Sequence, residues 1–182
     1  MPEAPYIANL NSALAYLKIG RTDQARESLK RAFSQVPEDE KNGDNLAYIK
    51  ILFHLGSMAI SDEDYTSAAK YIEEGLSLKA AYADLLFLRL IVLRYRGAYN
   101  AMFPDVLNYL IACSAEDSGI YDYRFTNQDA IDGVMIEMLP LAYENSTDRE
   151  AYMASVTRFV EATGSELFKR AREIMAGIDK TH

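Results

Sequence analysis

The sequence predicts an all-α fold built from antiparallel helix pairs. Three observations carry that prediction. Apolar residues recur at three- and four-residue spacing along nearly the whole chain, which places them on one side of successive helices. No stretch alternates apolar and polar residues as a half-buried strand would. Nine glycines and five prolines among 182 residues fit short turns rather than long irregular loops.

The elements follow in order. A first helix is expected over about Tyr6–Ile19, with Leu10, Ala13, Leu14 and Leu17 on one face. Gly20-Arg21-Thr22-Asp23 ends it, and Thr22 or Asp23 offers a side-chain oxygen to cap the next helix. That second helix runs to about Gln35 and is stopped by Pro37, which has no N–H to continue the ladder. "EDEKNGDN" (38–45) reads as a polar connector. A third helix is expected over about Leu46–Ile60 and a fourth over about Tyr65–Leu78. "YADLLFLRLIVLRYR" (82–96) is a fifth, strongly apolar helix closed by Gly97. The sixth covers about Asn100–Cys113, with Pro104 tolerated because it lies near the start. "SAEDSGIYDYRFTN" (114–127) is the longest irregular stretch. Helices are then expected over about Gln128–Glu144, Asp148–Ala162 and Ser165–Gly177. Thr147 with Glu150 forms a capping box for the second of these, and Ser165 caps the third.

Composition bounds the function. Apolar residues at 49% and charged residues at 25% are ordinary for a soluble globular chain, and 182 residues fit one domain or a short repeat array. The net charge of −8 argues against general nucleic-acid or anionic-membrane binding, since both need a basic surface. One cysteine, Cys113, excludes an intrachain disulfide and a cysteine-based zinc cluster. "MPEAPYIANL" lacks the basic region and apolar core of a signal peptide. The longest apolar run is interrupted by Arg89 and Arg94 well short of a membrane span, so a cytoplasmic location is expected. Asn145-Ser146-Thr147 matches a glycosylation sequon, which means nothing without a secretion signal.

Internal periodicity is the strongest signal. Tyr65 and Tyr99 are 34 residues apart and each sits just after an inter-helix turn. In a 34-residue frame the first pair places Ala13 at eight, Gly20 at fifteen, Ala25 at twenty, Ala32 at twenty-seven and Pro37 at thirty-two. The second places Gly56 at eight, Tyr65 at seventeen, Ala68 at twenty and Gly75 at twenty-seven. Small residues at eight and twenty let two helices approach closely, and the one at twenty-seven admits the next pair. Ala25 and Ala68 are 43 residues apart, and the excess of nine falls in the polar connector.

This pattern resembles the tetratricopeptide repeat family. The resemblance implies a right-handed superhelix of antiparallel helix pairs, with three to four repeats and a C-terminal capping helix. Those repeats fall at about 6–39, 49–82 and 83–116, with a degenerate one at 128–162 and the cap at 165–178. The third departs from the pattern, with Met102 where alanine is expected and Arg89 where leucine is. The fourth rests on Ala142 and Ala151 as small positions.

Sites for chemistry are scarce. Asp62, Glu63 and Asp64 invite a metal reading. Counting from Asp62, Asp64, Thr66 and Glu73 fall at positions three, five and twelve of a calcium loop. Position six is Ser67 rather than glycine, and the repeat frame puts residues from Tyr65 onward in a helix, which cannot wrap a cation. Asp62-Glu63-Asp64 also has the D-x-D spacing of nucleotide-sugar transferases, but no sheet is visible to present it. Negative charge at a helix start is itself favourable, which gives the cluster a structural reading. His54 is mid-helix beside an apolar face, His182 is terminal, and no phosphate loop or H-E-x-x-H occurs. Cys113 reads as a small packed residue. No cofactor, metal or catalytic set is expected.

The remaining candidate is a surface. In the family, the first helices of the pairs line a concave groove. The corresponding positions here are Ile7, Leu10, Leu14, Leu17 and Lys18; then Lys50, Phe53, Ser57, Ile60 and Ser61; then Asp84, Phe87, Ile91, Arg94 and Tyr95. Co-chaperone members clamp a carboxylate with polar side chains where this chain has Leu10 and Leu14, so that clamp is not expected. The groove reads as apolar and aromatic, with Lys50 and Arg94 as isolated cations. Either it receives an apolar or amphipathic segment of a protein partner, or neighbouring segments of the chain fill it. The resemblance therefore implies a non-enzymatic interaction scaffold. Two alternatives stand beside it. "YADLLFLR" followed by "RGAYNAMF" is similar to helical repeats attached to bacterial family-2 glycosyltransferase domains, which would make the chain an enzyme's accessory part. The apolar third pair could equally form a homodimer face.

Overall fold

The computed structural model describes residues 2–115 and 118–182; Glu116 and Asp117, at the end of the expected third repeat, lie outside them. Regular structure among the described residues is helical, with no strand. The chain divides into two compact units, Met1–Ala80 and Ala81–His182.

In the first unit, α1 (Pro5–Lys18) begins on a proline, whose missing N–H is no loss in a first turn. Gly20, at φ 72°, takes the left-handed conformation that ends it. Helix α2 (Thr22–Gln35) starts one residue earlier than a Thr22 cap requires and two earlier than an Asp23 cap requires. Thr22 is already helical, so neither side chain caps, and Asp23 instead places its charge in the first turn. Helices α3 (Leu46–Ser61) and α4 (Tyr65–Leu78) form the second pair. The close approaches fall where the small residues stand: Ala13, Ala25, Ala32 and Ala68 are fully enclosed, and Gly56 and Gly75 are buried. Ala13, Ala25 and Ala32 share one apolar core with Tyr6, Leu10, Leu29, Tyr48, Ile51, Leu52 and Leu55.

The polar connector is structured. Glu38–Glu40 forms a single 3-10 turn. The Tyr6 hydroxyl donates to the Glu40 carboxylate, and Asn45 Nδ2 donates to the Tyr6 oxygen at 3.2 Å and to the Glu40 carbonyl at 3.0 Å. Asn45 Oδ1 in turn accepts from the Tyr48 N–H, capping α3. Gly43 lies so close to α4 that a Cβ there would sit 2.4 Å from the Leu78 carbonyl oxygen.

In the second unit, α5 (Ala83–Tyr95) is buried on most sides, which explains its weak periodicity. A 3-10 turn at Tyr99–Ala101 precedes α6 (Phe103–Ser114), which starts three residues later than expected. Pro104 fixes that start, because a proline fits a helix only within the first turn. Arg89 of α5 is bidentate to the buried Asp105 of α6, both bonds at 2.6 Å. The arginine that breaks the repeat pattern thus has a partner from the opposite helix. Met102, the other departure, is fully enclosed.

The expected helix over 128–144 is interrupted. Helix α7 (Gln128–Gly133) passes into a π-turn at Val134–Met138 and then α8 (Leu139–Glu144). The cause is Pro140, which lacks an N–H and would press its ring on the carbonyl four residues back in a regular helix. The wide turn lets the Leu139 N–H reach the Val134 carbonyl instead. Helix α9 (Arg149–Thr163) has no side-chain cap, so the Thr147–Glu150 capping box is not formed; Ser146 Oγ accepts from the Asp148 N–H at 3.1 Å ahead of it. Helix α10 (Glu166–Asp179) is capped by Ser165 as expected and buries Phe168, Ala171 and Met175. Ala142 is enclosed as a small position should be, whereas Ala151 faces solvent.

Candidate functional site

The acidic cluster is accounted for by its local geometry. Asp62 follows the last residue of α3 and takes Arg26 of α2 bidentately, at 2.5 and 3.2 Å. Glu63 turns the chain at φ 59°, a left-handed conformation unusual for a residue with a side chain. Asp64 caps α4 by accepting from the Ser67 N–H at 3.0 Å, and that bonding holds its carboxyl below the usual range. The three residues close α3, bend the chain and open α4. Among the described residues no group of His, Cys, Asp or Glu side chains has the arrangement to hold a metal ion.

His54 is buried in α3, with the Phe53 ring edge-on at 4.9 Å. Cys113 is half-buried, and burial pushes its thiol up to about 11, away from the thiolate that a nucleophile needs.

The predicted groove positions separate into distinct groups. In the first unit Leu10 and Phe53 are buried and present no surface to a partner. Ile7, Leu14 and Leu17 of α1 pack against the core while remaining partly exposed. Lys50, Ser57 and Ile60 of α3 are likewise partly exposed, and Lys18 and Ser61 are exposed. Of these positions the partly exposed apolar ones are therefore Ile7, Leu14, Leu17 and Ile60, without the expected aromatic centre.

In the second unit the aromatic expectation meets a different fate. Phe87 is stacked face to face on Phe125, with ring centroids 4.4 Å apart and planes 13° from parallel. Asp84 is buried, and its carboxylate accepts from the backbone N–H groups of both Arg124 (2.9 Å) and Phe125 (2.8 Å). Ile91 is half-buried and Tyr95 is 67% exposed. Arg94 pairs with Glu137 at 2.6 Å, which corrects its reading as an isolated cation. Sequence reasoning placed Asp84 and Phe87 on a face but missed what covers them. A carboxylate inside "YADLLFLRLIVL" was the available signal, since a buried charge demands dedicated donors.

Residues 6–38 and 49–82 each match the tetratricopeptide repeat family. Both stretches are similar to tetratricopeptide repeats. The first stretch spans α1 and α2 and the second most of α3 and all of α4, with most of the connector between them. No curated protein and no solved structure matches the chain. Tetratricopeptide repeats generally mediate protein–protein interaction. No helix among the described residues is long and apolar enough to cross a membrane.

Proposed function

We propose that the chain is a non-catalytic interaction module whose tetratricopeptide pair receives a segment of a protein partner along α1 and α3. The half-exposed Ile7, Leu14 and Leu17 support this reading most directly, because they stand beside the core without being enclosed by it, and Ile60 of α3 is likewise half-exposed. Ser57, half-exposed on α3, offers a hydroxyl with which a bound segment can satisfy a backbone group. The acidic cluster, the buried His54 and the raised Cys113 thiol all have structural accounts, which is consistent with a scaffold.

A photo-crosslinking residue placed at Leu17 or Ser57 tests the face, with Lys30 on α2 as the control position. Adducts with a discrete protein from Leu17 and Ser57, absent from Lys30, are the expected result. The variant Leu14→Glu, Leu17→Glu should abolish those adducts while leaving the helical circular dichroism intact. Equal labelling from all three positions would overturn the assignment.

A further inference from the structure

Helix α9 packs on one side and stands open on the other. Val156 and Val160 are buried within the second unit. Glu150, Met153, Ala154, Thr157 and Arg158 recur at three- and four-residue spacing and share another face. On it Glu150, Ala154 and Arg158 are exposed, and Met153 and Thr157 are half-exposed. These five residues line an open groove of about 620 Å3, together with Tyr143 of α8 and Asp179 of α10. The two outer residues are already tied together, because the Tyr143 hydroxyl donates to Asp179 at 2.8 Å.

The charges on the open face are self-complementary. Glu150 stands at its N-terminal end and Arg158 at its C-terminal end, about 12 Å apart along the helix axis. Neither forms an ion pair among the described residues, and Arg158 makes only a long bond to Ser155 Oγ at 3.4 Å. Ala154 lies midway between them. A second α9 laid antiparallel across this face, on a two-fold axis through Ala154, sets Glu150 of each copy against Arg158 of the other. The axis itself then falls on a methyl group, which lets the helices approach to about 8 Å. Met153 and Thr157 supply apolar contact beside it. Asp179 adds a carboxylate at the end of the groove where Arg158 of the second copy arrives.

We propose that the open face of α9 pairs with the same face of a second copy of this chain, antiparallel, through two Glu150–Arg158 ion pairs arranged about Ala154. A parallel pairing would set like charges together, so charge fixes the direction. The interface is isologous and closes at two copies. It is separate from the partner-binding face assigned to α1 and α3 and is tested without it.

Sedimentation velocity of the full chain over about 5–500 µM reads the association. One helix pair is a small interface, so dimer is expected at about 100 µM rather than at nanomolar concentration. Glu150→Arg alone and Arg158→Glu alone each oppose like charges and should weaken association at least about tenfold. An equimolar mixture of the two variants restores both ion pairs and should associate as the wild type does. A wild type that stays monomeric throughout, or a mixture no stronger than its components, overturns the proposal. Oxidative crosslinking in a Cys113→Ser background reads the register. Ala154→Cys should give a disulfide-linked dimer, because Cα atoms facing each other across such a pair are about 4–6 Å apart. Glu161→Cys, which the axis places opposite Thr147, should not. Equal crosslinking at the two positions would mean random collision and would also overturn the proposal.

Discussion

Arg89 shows how a single side chain can look like a defect in a sequence and be a joint in the structure. An arginine within "LLFLRLIVL" disagrees with the repeat pattern, and nothing in the sequence pairs it with Asp105, sixteen positions on. The pairing needs both helices folded, so it was not legible beforehand. Removing one partner strands the other in a buried place. Arg89→Met should destabilise the second unit by about 3 kcal/mol in denaturant unfolding, while Arg89→Met with Asp105→Leu should recover most of that loss. An additive double-mutant cycle would show that the pair contributes nothing specific. Gly43 makes the converse point. Its role is a close approach rather than an unusual dihedral, and a Cβ would meet the Leu78 backbone, which cannot swing aside. Gly43→Ala should cost about 1–3 kcal/mol by the same measurement. A neutral result would mean that the connector yields.

At the scale of the element, helices were legible and their ends less so. Helix α4 falls on the predicted residues because Asp64, Tyr65 and the small positions all agree. The α2 cap failed because Thr22 and Asp23 are already helical, and the α9 cap because Asp148 rather than Thr147 precedes the helix. The π-turn before Pro140 could not be read from periodicity, which changes little when one residue is added to a turn. Asp64 carries a prediction of its own. Its folded carboxyl lies below the ordinary 3.8 because the ionised oxygen accepts hydrogen bonds from Ser67. The stability it contributes is therefore complete above that ordinary value and is lost as pH falls through the lowered one. Asp64→Asn, which keeps an acceptor oxygen but does not titrate, should show a shallower acid limb in thermal melts than the wild type. Superimposable limbs would remove Asp64 from the acid response.

For the whole molecule, the two units differ in how readable they were. The first follows the small-residue frame closely, and the apolar cluster around Leu29 and Leu52 is made of its own residues. A fragment of residues 1–80 should accordingly give a helical spectrum and a cooperative melt; a spectrum without helix would contradict an autonomous core. The second unit keeps helix pairs but replaces pattern residues with specific polar links, Arg89–Asp105 and Asp84 with the N–H groups of Arg124 and Phe125. The candidate surfaces share that division. Among the α1 and α3 positions Leu10 and Phe53 proved buried, and the cover over Phe87 required knowing where "YDYRF" goes. The connector of the first unit has one more implication. Through Tyr6 and Glu40 it holds the first helix, and through Gly43 it rests on the last. Stacked repeats ordinarily touch only their nearest neighbours, and such arrays lengthen by duplicating a unit anywhere along the stack. Here a unit spliced in at the connector would part Tyr6 from Leu78 and undo both contacts. Growth of this array by internal duplication is closed at that point, and an engineer extending it would have to build elsewhere.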